Sequence, residues 1–340
     1  MMTSREIVDS AVNFRGPERI PIDYWILPAT HLKYGGELAA LLAEFPKDFP
    51  DHMEPEPDGA LPPSHRKGVY TDCFGAVWTQ EQEGILGQVL TPPLGDWKAL
   101  GEHPFPDPSD GEITLQQLKS ITARSVRENK YTCVDFIRTF ERMHFLRGMQ
   151  NLLMDMALGE KEYLILLDRV AEWNTAHLRI VLDELHDDID GIWFSDDWGA
   201  QKSLFINPVK WREIFKPVYR KMFDVVKEYQ KTIFFHSDGF ILDIIDDFIE
   251  IGVDALNCQV KLMGEENLAE RFGGKITFHT DLDRQHILPH GTTEDIRNHV
   301  QSVIKHLGKY SGGLILNAEI GPDVPFENIR TLLENTSGGK

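Results

Sequence analysis

The stretch KTIFFHSDGFILDIIDDFIEIGVDAL, residues 231–256, carries an apolar, β-prone run that ends in His236, Ser237, Asp238 and Gly239 and turns at once into a helical pattern. A histidine and an aspartate two residues apart can move a proton near neutral pH or share a metal ion. The pattern recurs along the chain. IDGIWFSDD (189–197) delivers Asp196 and Asp197, with Trp198 and Gln201 just beyond. KITFHTDLD (275–283) delivers His279, Asp281 and Asp283, and GGLILNAEIG (312–321) delivers Asn317 and Glu319. GVDALNCQ (252–259) adds Asn257, Cys258 and Gln259. Each residue also has a plain structural reading. An aspartate after a strand caps the next helix, a buried histidine can be a satisfied core residue, and a lone cysteine such as Cys258 fills core space. Their shared position at the ends of separate strands points to one pocket.

The elements that must hold them are strands alternating with helices. After residue 131 the candidate strands are 131–136, 189–197, 231–239, 252–259, 275–283 and 312–321. Between them lie helices such as 207–229, with Asn207 as N-cap and Pro208 in the first turn, and 292–308, with a Thr292/Asp295 capping box and a stop at Gly308. Repeated strand–helix units imply parallel strands. Six or more units favour a closed (β/α)8 TIM barrel over an open sheet, with the strand C-terminal ends converging on one face. The first 130 residues read as an N-terminal extension with long loops (45–63 and 105–113) and a β-hairpin or meander insertion over 68–94. The expected organisation is one domain over 1–340, with 1–130 packed on the strand–helix repeats of 131–340.

Composition narrows the partners. The 340 residues are 41% hydrophobic, enough for a sizeable core without disulfide or metal staples. The net charge of −19, from 35 basic and 54 acidic residues, disfavours nucleic acid. Three scattered cysteines, Cys73, Cys133 and Cys258, suggest reduced thiols and a cytoplasmic location. No stretch is long and apolar enough for a membrane span, and the first residues do not read as a signal peptide.

Several segments together resemble the uroporphyrinogen decarboxylase superfamily, which also contains cobalamin-dependent methyltransferases. They are RIPIDYW, DCFGAVW, FLRGMQNLLMDM, DDWGAQKSLFINPVKWREIFKP, FFHSDGFILDIIDDFIEIGVDALN, LAERFGGKITFHTDLDRQHILPHGTTEDIRNHV and PDVPFENI. The resemblance implies a barrel with its pocket at the strand C-terminal ends. Two departures matter. The decarboxylases are similar to one another in an arginine-rich N-terminal loop that clamps carboxylates; here ILPATHLKYGGEL (26–38) holds no arginine. Their late GHG-like histidine is also replaced, by NAEIG. The methyltransferase branch resembles a His-x-Cys plus later Cys pattern that binds zinc and activates a thiol. Here His236-x-Asp238 stands at the first motif and Glu319 near the later cysteine, implying a metal set of His236, Asp238 and Glu319, with zinc the first choice and Fe²⁺ or Mn²⁺ also suited.

Three functions follow as expectations. The first is corrinoid-linked methyl transfer to or from a small molecule, with the corrinoid on a partner protein because the chain has no DxHxxG-type motif. The second is a lyase decarboxylating a tetrapyrrole or a smaller acid, with Asp196 or Asp197 stabilising a developing cation and His236 or His279 moving protons. The third is a non-catalytic binding protein. In all three, Gln201, Gln259 and Asn317 would contact the ligand. Tyr24 and Trp198 are candidates to wall the pocket, together with Trp25, Phe74 and Trp78. Asp238 stays open as ligand, cap or base, and the 45–63 loop as lid or homodimer contact.

Overall fold

The computed structural model describes residues 2–51 and 60–337. Part of the 45–63 loop, residues 52–59, lies outside the described residues. The strands, in chain order, are β1 (Trp25–Ile26), β2 (Gly68–Thr71), β3 (Val77–Gln80), β4 (Gln88–Thr91), β5 (Cys133–Ile137), β6 (Gly191–Ser195), β7 (Thr232–Ser237), β8 (Ala255–Cys258), β9 (Thr277–Thr280), β10 (Leu314–Ile315) and β11 (Glu319–Ile320). β5 to β10 form one parallel six-stranded sheet in sequence order, the pattern left by right-handed strand–helix–strand crossovers. β2, β3 and β4 make the antiparallel meander expected over 68–94.

The ladder does not close by strand pairing alone, yet backbone hydrogen bonds complete a circuit. Past β9, Leu282 N–H donates to Asn317 C=O at 3.0 Å. β11 pairs in parallel with β1, and Ile22 bridges Leu316. The gap between the first strand and β5 is spanned by Asp48, whose N–H donates to Ile22 C=O (2.9 Å) and whose C=O accepts from Tyr131 N–H (3.0 Å). The Asp48 carboxylate also accepts from Ile22 N–H (2.9 Å), so one residue does the work of a strand.

The sheet's period of two sorts side chains into layers. On the outer face, Ile192, Phe194, Ile233, Phe235, Leu256, Cys258 and Phe278 join the large core under the helices. On the inner face, Trp193, Phe234, Ala255 and Ile315 pack with Val8, Phe49 and Tyr131. Each of the larger aromatic or aliphatic side chains among these contributes roughly 2 kcal/mol on burial. Two residues further along, the inner face turns polar, with His236, Asn257 and His279 in register.

Two sequence expectations change. The single helix expected over 207–229 is two, Pro208–Ile214 and Lys216–Glu228, because Pro217 has no N–H to continue the first ladder. The last strand, expected over 312–321, is broken into β10 and β11 around Leu316–Ala318. The 292–308 helix forms as Thr293–Leu307, with the Thr292/Asp295 capping box present. Among the described residues, no helix is long and apolar enough to cross a membrane.

Candidate functional site

Two loops bring the reactive groups together. After β6 the chain reads Asp196-Asp197-Trp198-Gly199, and after β7 it reads Asp238-Gly239. Gly239 has φ +78°, and a Cβ there would sit 2.1 Å from the Gly199 carbonyl oxygen, so side chains are excluded where the two backbones meet. Gly199 N–H donates to Asp238 C=O (3.1 Å), and Asp238 N–H donates to Asp197 Oδ1 (2.9 Å). Asp197 and Asp238 are thereby held side by side over the end of β7.

His236 completes the group. Its Nε2 lies 3.5 Å from Asp197 Oδ1 and 3.8 Å from Asp238 Oδ1. Among the described residues, Asp197, His236 and Asp238 form the cluster whose donor atoms all lie within 4.8 Å of one another. Burial works against a charged His236 ring, but Asp197, Asp238 and Asn257 outweigh it and hold its pKa up at about 10. Burial likewise opposes the Asp197 carboxylate; His236 and the Asp238 N–H prevail and lower its pKa. Asp238 Oδ1 is buried and has no hydrogen-bond partner among the described residues.

Behind His236 runs a buried relay. His236 Nδ1 meets Asn257 Oδ1. The Asn257 amide donates to His279 Nδ1 (2.9 Å), His279 C=O (2.9 Å) and Thr280 C=O (3.1 Å), so its carbonyl must face His236. His279 Nε2 then donates to Asp23 (3.2 Å), since a carboxylate only accepts. His279 is fully buried, and burial keeps it below the usual histidine range against the pull of Asp23. The geometry sets it to orient Asn257 and His236, away from the acid–base position expected from the sequence.

The other expected residues divide by strand parity. Asp196 points to the outer face, where its carboxylate accepts from the N–H groups of Thr139 (2.9 Å) and Glu141 (2.7 Å) and from Tyr219 OH (2.6 Å). It anchors the start of helix Phe140–Arg147. Burial raises its pKa, with Tyr219 and the backbone donors opposing. Trp198 is likewise interior, stacked on Phe140 at 4.1 Å and donating to Tyr219 OH at 3.0 Å. Tyr24 is buried and donates to Phe45 C=O (2.9 Å). Phe74 and Trp78 are also buried, Trp78 packing in the meander against Phe145. The half-buried Trp25, 5.8 Å from the His236 ring and edge-on to Phe136 at 6.3 Å, is the aromatic residue that borders the site. Gln259 Oε1 accepts from Gly239 N–H (3.1 Å) and braces the loop. Gln201 is exposed, with its amide 3.5 Å from Gln285. Asn317 is buried, and neither atom of its amide has a partner among the described residues. Cys258 faces the outer core, where burial pushes its thiol up, and it lies outside the Asp197–His236–Asp238 cluster.

Glu319 does not join the histidine cluster. Its carboxylate is bound by Arg284, which also bonds Asp238 and lies 3.1 Å from Asp281. The second carboxylate beside His236 is Asp197, where the resemblance implied Glu319. Burial, with Arg284 opposing, brings Asp281 to about 7. Glu141 also enters the site, accepting from Ser195 Oγ at 3.1 Å, with its pKa raised by burial. The sequence signal for Arg284 was its place three residues after Asp281; Glu141, on a helix after β5, gave none.

The donor set passes a test of fit for a divalent cation. It offers one imidazole nitrogen and two carboxylates at close range, an unpartnered buried oxygen, and a histidine whose far nitrogen is held by a carbonyl, the usual support for a ligating ring.

The uroporphyrinogen decarboxylase (URO-D) family model matches residues 139–337, more than half of the chain. No curated protein matches the chain closely enough to be a relative. Among solved structures, a methyltransferase from Methanosarcina mazei superposes with a TM-score of 0.74 at 14% identity, covering 99% of this chain and 98% of that one. Xylanase 10B from Thermotoga maritima gives a TM-score of 0.46 at 10% identity over 93% and 86% of the two chains. A B12-independent methionine synthase from a Shewanella species gives 0.42 at 11% over 65% and 64%. The family and the Methanosarcina fold imply a TIM barrel, which the hydrogen-bonded circuit through Asp48 fits. This chain belongs to the uroporphyrinogen decarboxylase (URO-D) family.

Proposed function

We propose that the chain is a methyl-transfer enzyme acting on a small molecule, with Asp197, His236 and Asp238 holding a divalent cation, zinc first, at the mouth of the barrel. The observation that carries this reading is the buried, unpartnered Asp238 Oδ1 facing a histidine that Asn257 has already oriented. The end-to-end fold match to a protein described as a methyltransferase supports it. A bound cation would lower the pKa of a thiol or hydroxyl and make it a nucleophile.

The chain's own residues do the rest. Asn257 and His279 keep His236 Nε2 aimed at the two carboxylates, where a bound cation would take the place of its proton. Asp197 and Asp238 stabilise positive charge at that point. Asp281, brought to about 7 by burial, stands ready to give or take a proton. Trp25 borders the site, and any corrinoid would arrive on a partner protein.

The carboxy-lyase reading is weaker on charge. Arg284 is engaged by Asp238 and Glu319, and Arg138 by Glu112, so neither offers a carboxylated substrate a free cation. The test is methyl transfer from methylcobalamin to small thiols and alcohols, read in the corrin absorbance, with wild type beside Asp197→Asn and His236→Ala. Transfer by wild type and at least hundredfold slower transfer by both variants supports the reading. Release of CO₂ from small acids without methyl transfer would overturn it.

A further inference from the structure

Arg284 sits among carboxylates delivered by three strand ends. Its guanidinium bonds Asp238 Oδ2, after β7, and Glu319, on β11. Its Nε lies 3.1 Å from Asp281, after β9. Asp281 is nearly fully buried, and neither of its oxygens has a hydrogen-bond partner among the described residues. Asp238 is therefore divided: one oxygen is on the arginine, while the other lies buried and unpartnered 3.8 Å from His236 Nε2.

A guanidinium does not lose its proton, so this positive charge is permanent. A divalent cation at Asp197, His236 and Asp238 would share a carboxylate with it. We infer that Arg284 is the resident counter-cation of the site: it neutralises Asp238 in the cation-free chain, and a divalent ion displaces it toward Glu319 and Asp281. This inference rests on the metal reading above. It gives Glu319 a role different from ligation, that of receiving Arg284 when Asp238 is taken. It also explains why three carboxylates from separate strands meet one arginine: two of them retain it after the third is lost.

The consequence is a pair of opposite effects. Removing the competing charge strengthens cation binding; removing the receiving carboxylate leaves Arg284 more firmly on Asp238 and weakens it. With partial solvent screening, a charge of this kind a few ångströms away changes affinity by about tenfold.

The experiment is calorimetric titration of the full chain, stripped of metal, with Zn²⁺ alone and with Mn²⁺ alone. Wild type, Arg284→Gln, Glu319→Gln and His236→Ala are compared. The expected result is about tenfold tighter binding by Arg284→Gln, several-fold weaker binding by Glu319→Gln, and none by His236→Ala. Equal or weaker binding by Arg284→Gln, or tighter binding by Glu319→Gln, overturns the role of Arg284 while leaving the metal site standing. Absence of binding in every variant overturns both. Should Arg284→Gln fail to fold, the sign of the Glu319→Gln change decides.

Discussion

Two of the histidine–carboxylate groups near the strands of the parallel sheet, at β5 and at the end of β7, are built for different ends. Near β5, His177 from helix Glu162–Leu185 meets Asp135, which has φ +70° where the β5–β6 register shifts. His177 Nε2 is 2.6 Å from Asp135 Oδ2, its Nδ1 is 2.5 Å from Pro108 C=O, and Trp173 stacks on the ring at 5.2 Å. Both nitrogens are used. At the end of β7, His236 has one nitrogen held by Asn257 and presents the other to two carboxylates, one with an unpartnered oxygen. A closed pair fastens a bulged strand to a helix; an open one leaves coordination capacity for a guest. Valence left over separates a site from a structural pair, and residue type does not.

Breaking the closed pair should give the largest change in stability. His177→Ala leaves Asp135 buried without its partner, and the expected cost is about 3–5 kcal/mol in urea unfolding, with cation titration unchanged. A loss under about 1 kcal/mol would mean the pair does not fasten β5.

The same pair sets a pH dependence. Burial lowers the His177 pKa, but Asp135 and the Pro108 carbonyl outweigh it and bring it to about 9. The folded value lies above the unfolded value of about 6.5. The stabilisation is therefore complete below pH 6.5 and is lost as pH rises through 9, on the order of 3 kcal/mol. Wild type should lose this stability over that window and Asp135→Asn should not. His236 and Asp281 remain in both proteins, so the difference isolates the pair. Parallel pH profiles would contradict it.

The open group is sharpened by Asn257→Ala, which frees His236 to turn. Cation affinity should fall about 10- to 100-fold, a loss carried through a ligand, beside a loss of about 1–3 kcal/mol in unfolding from the buried partners left unpaired. An unchanged isotherm would show that His236 is held by other contacts. The smallest effect is expected at Gln201: an exposed amide with one long contact should shift stability by less than about 0.5 kcal/mol on change to Ala. A substantially weakened methyl-transfer reaction in that variant would restore the binding role that its sequence position suggested.

Much of this was legible in the sequence. The apolar runs ending in polar residues gave the parallel strands, and HSDG and DDWG marked the two loops that meet at Gly199 and Gly239. What the sequence left unresolved was the face on which each residue emerges. Asp196 and Asp197 are neighbours, yet the period of two sends one to a helix N-terminus and the other to the site. The same parity puts Trp198 in the core and Cys258 beneath the helices. The resemblance to a zinc-binding pattern implied Glu319 beside His236; the break between β10 and β11, and Arg284 reaching across from the 281–284 loop, place its carboxylate on the arginine instead. His279 reads as a reactive group because residue type does not reveal that both its ring nitrogens are already committed, Nδ1 to Asn257 and Nε2 to Asp23.

Asp197, His236 and Asp238 are proposed to hold a divalent cation, and Glu319 to stand outside that set. The most direct test is elemental analysis of untagged protein after loading with Zn²⁺, Fe²⁺ or Mn²⁺ and exhaustive desalting, beside His236→Ala, Asp197→Ala and Glu319→Gln. The expected result is about one ion per chain in wild type, retained in Glu319→Gln and absent from the other two. No bound ion in wild type, or an ion that survives His236→Ala, would contradict it.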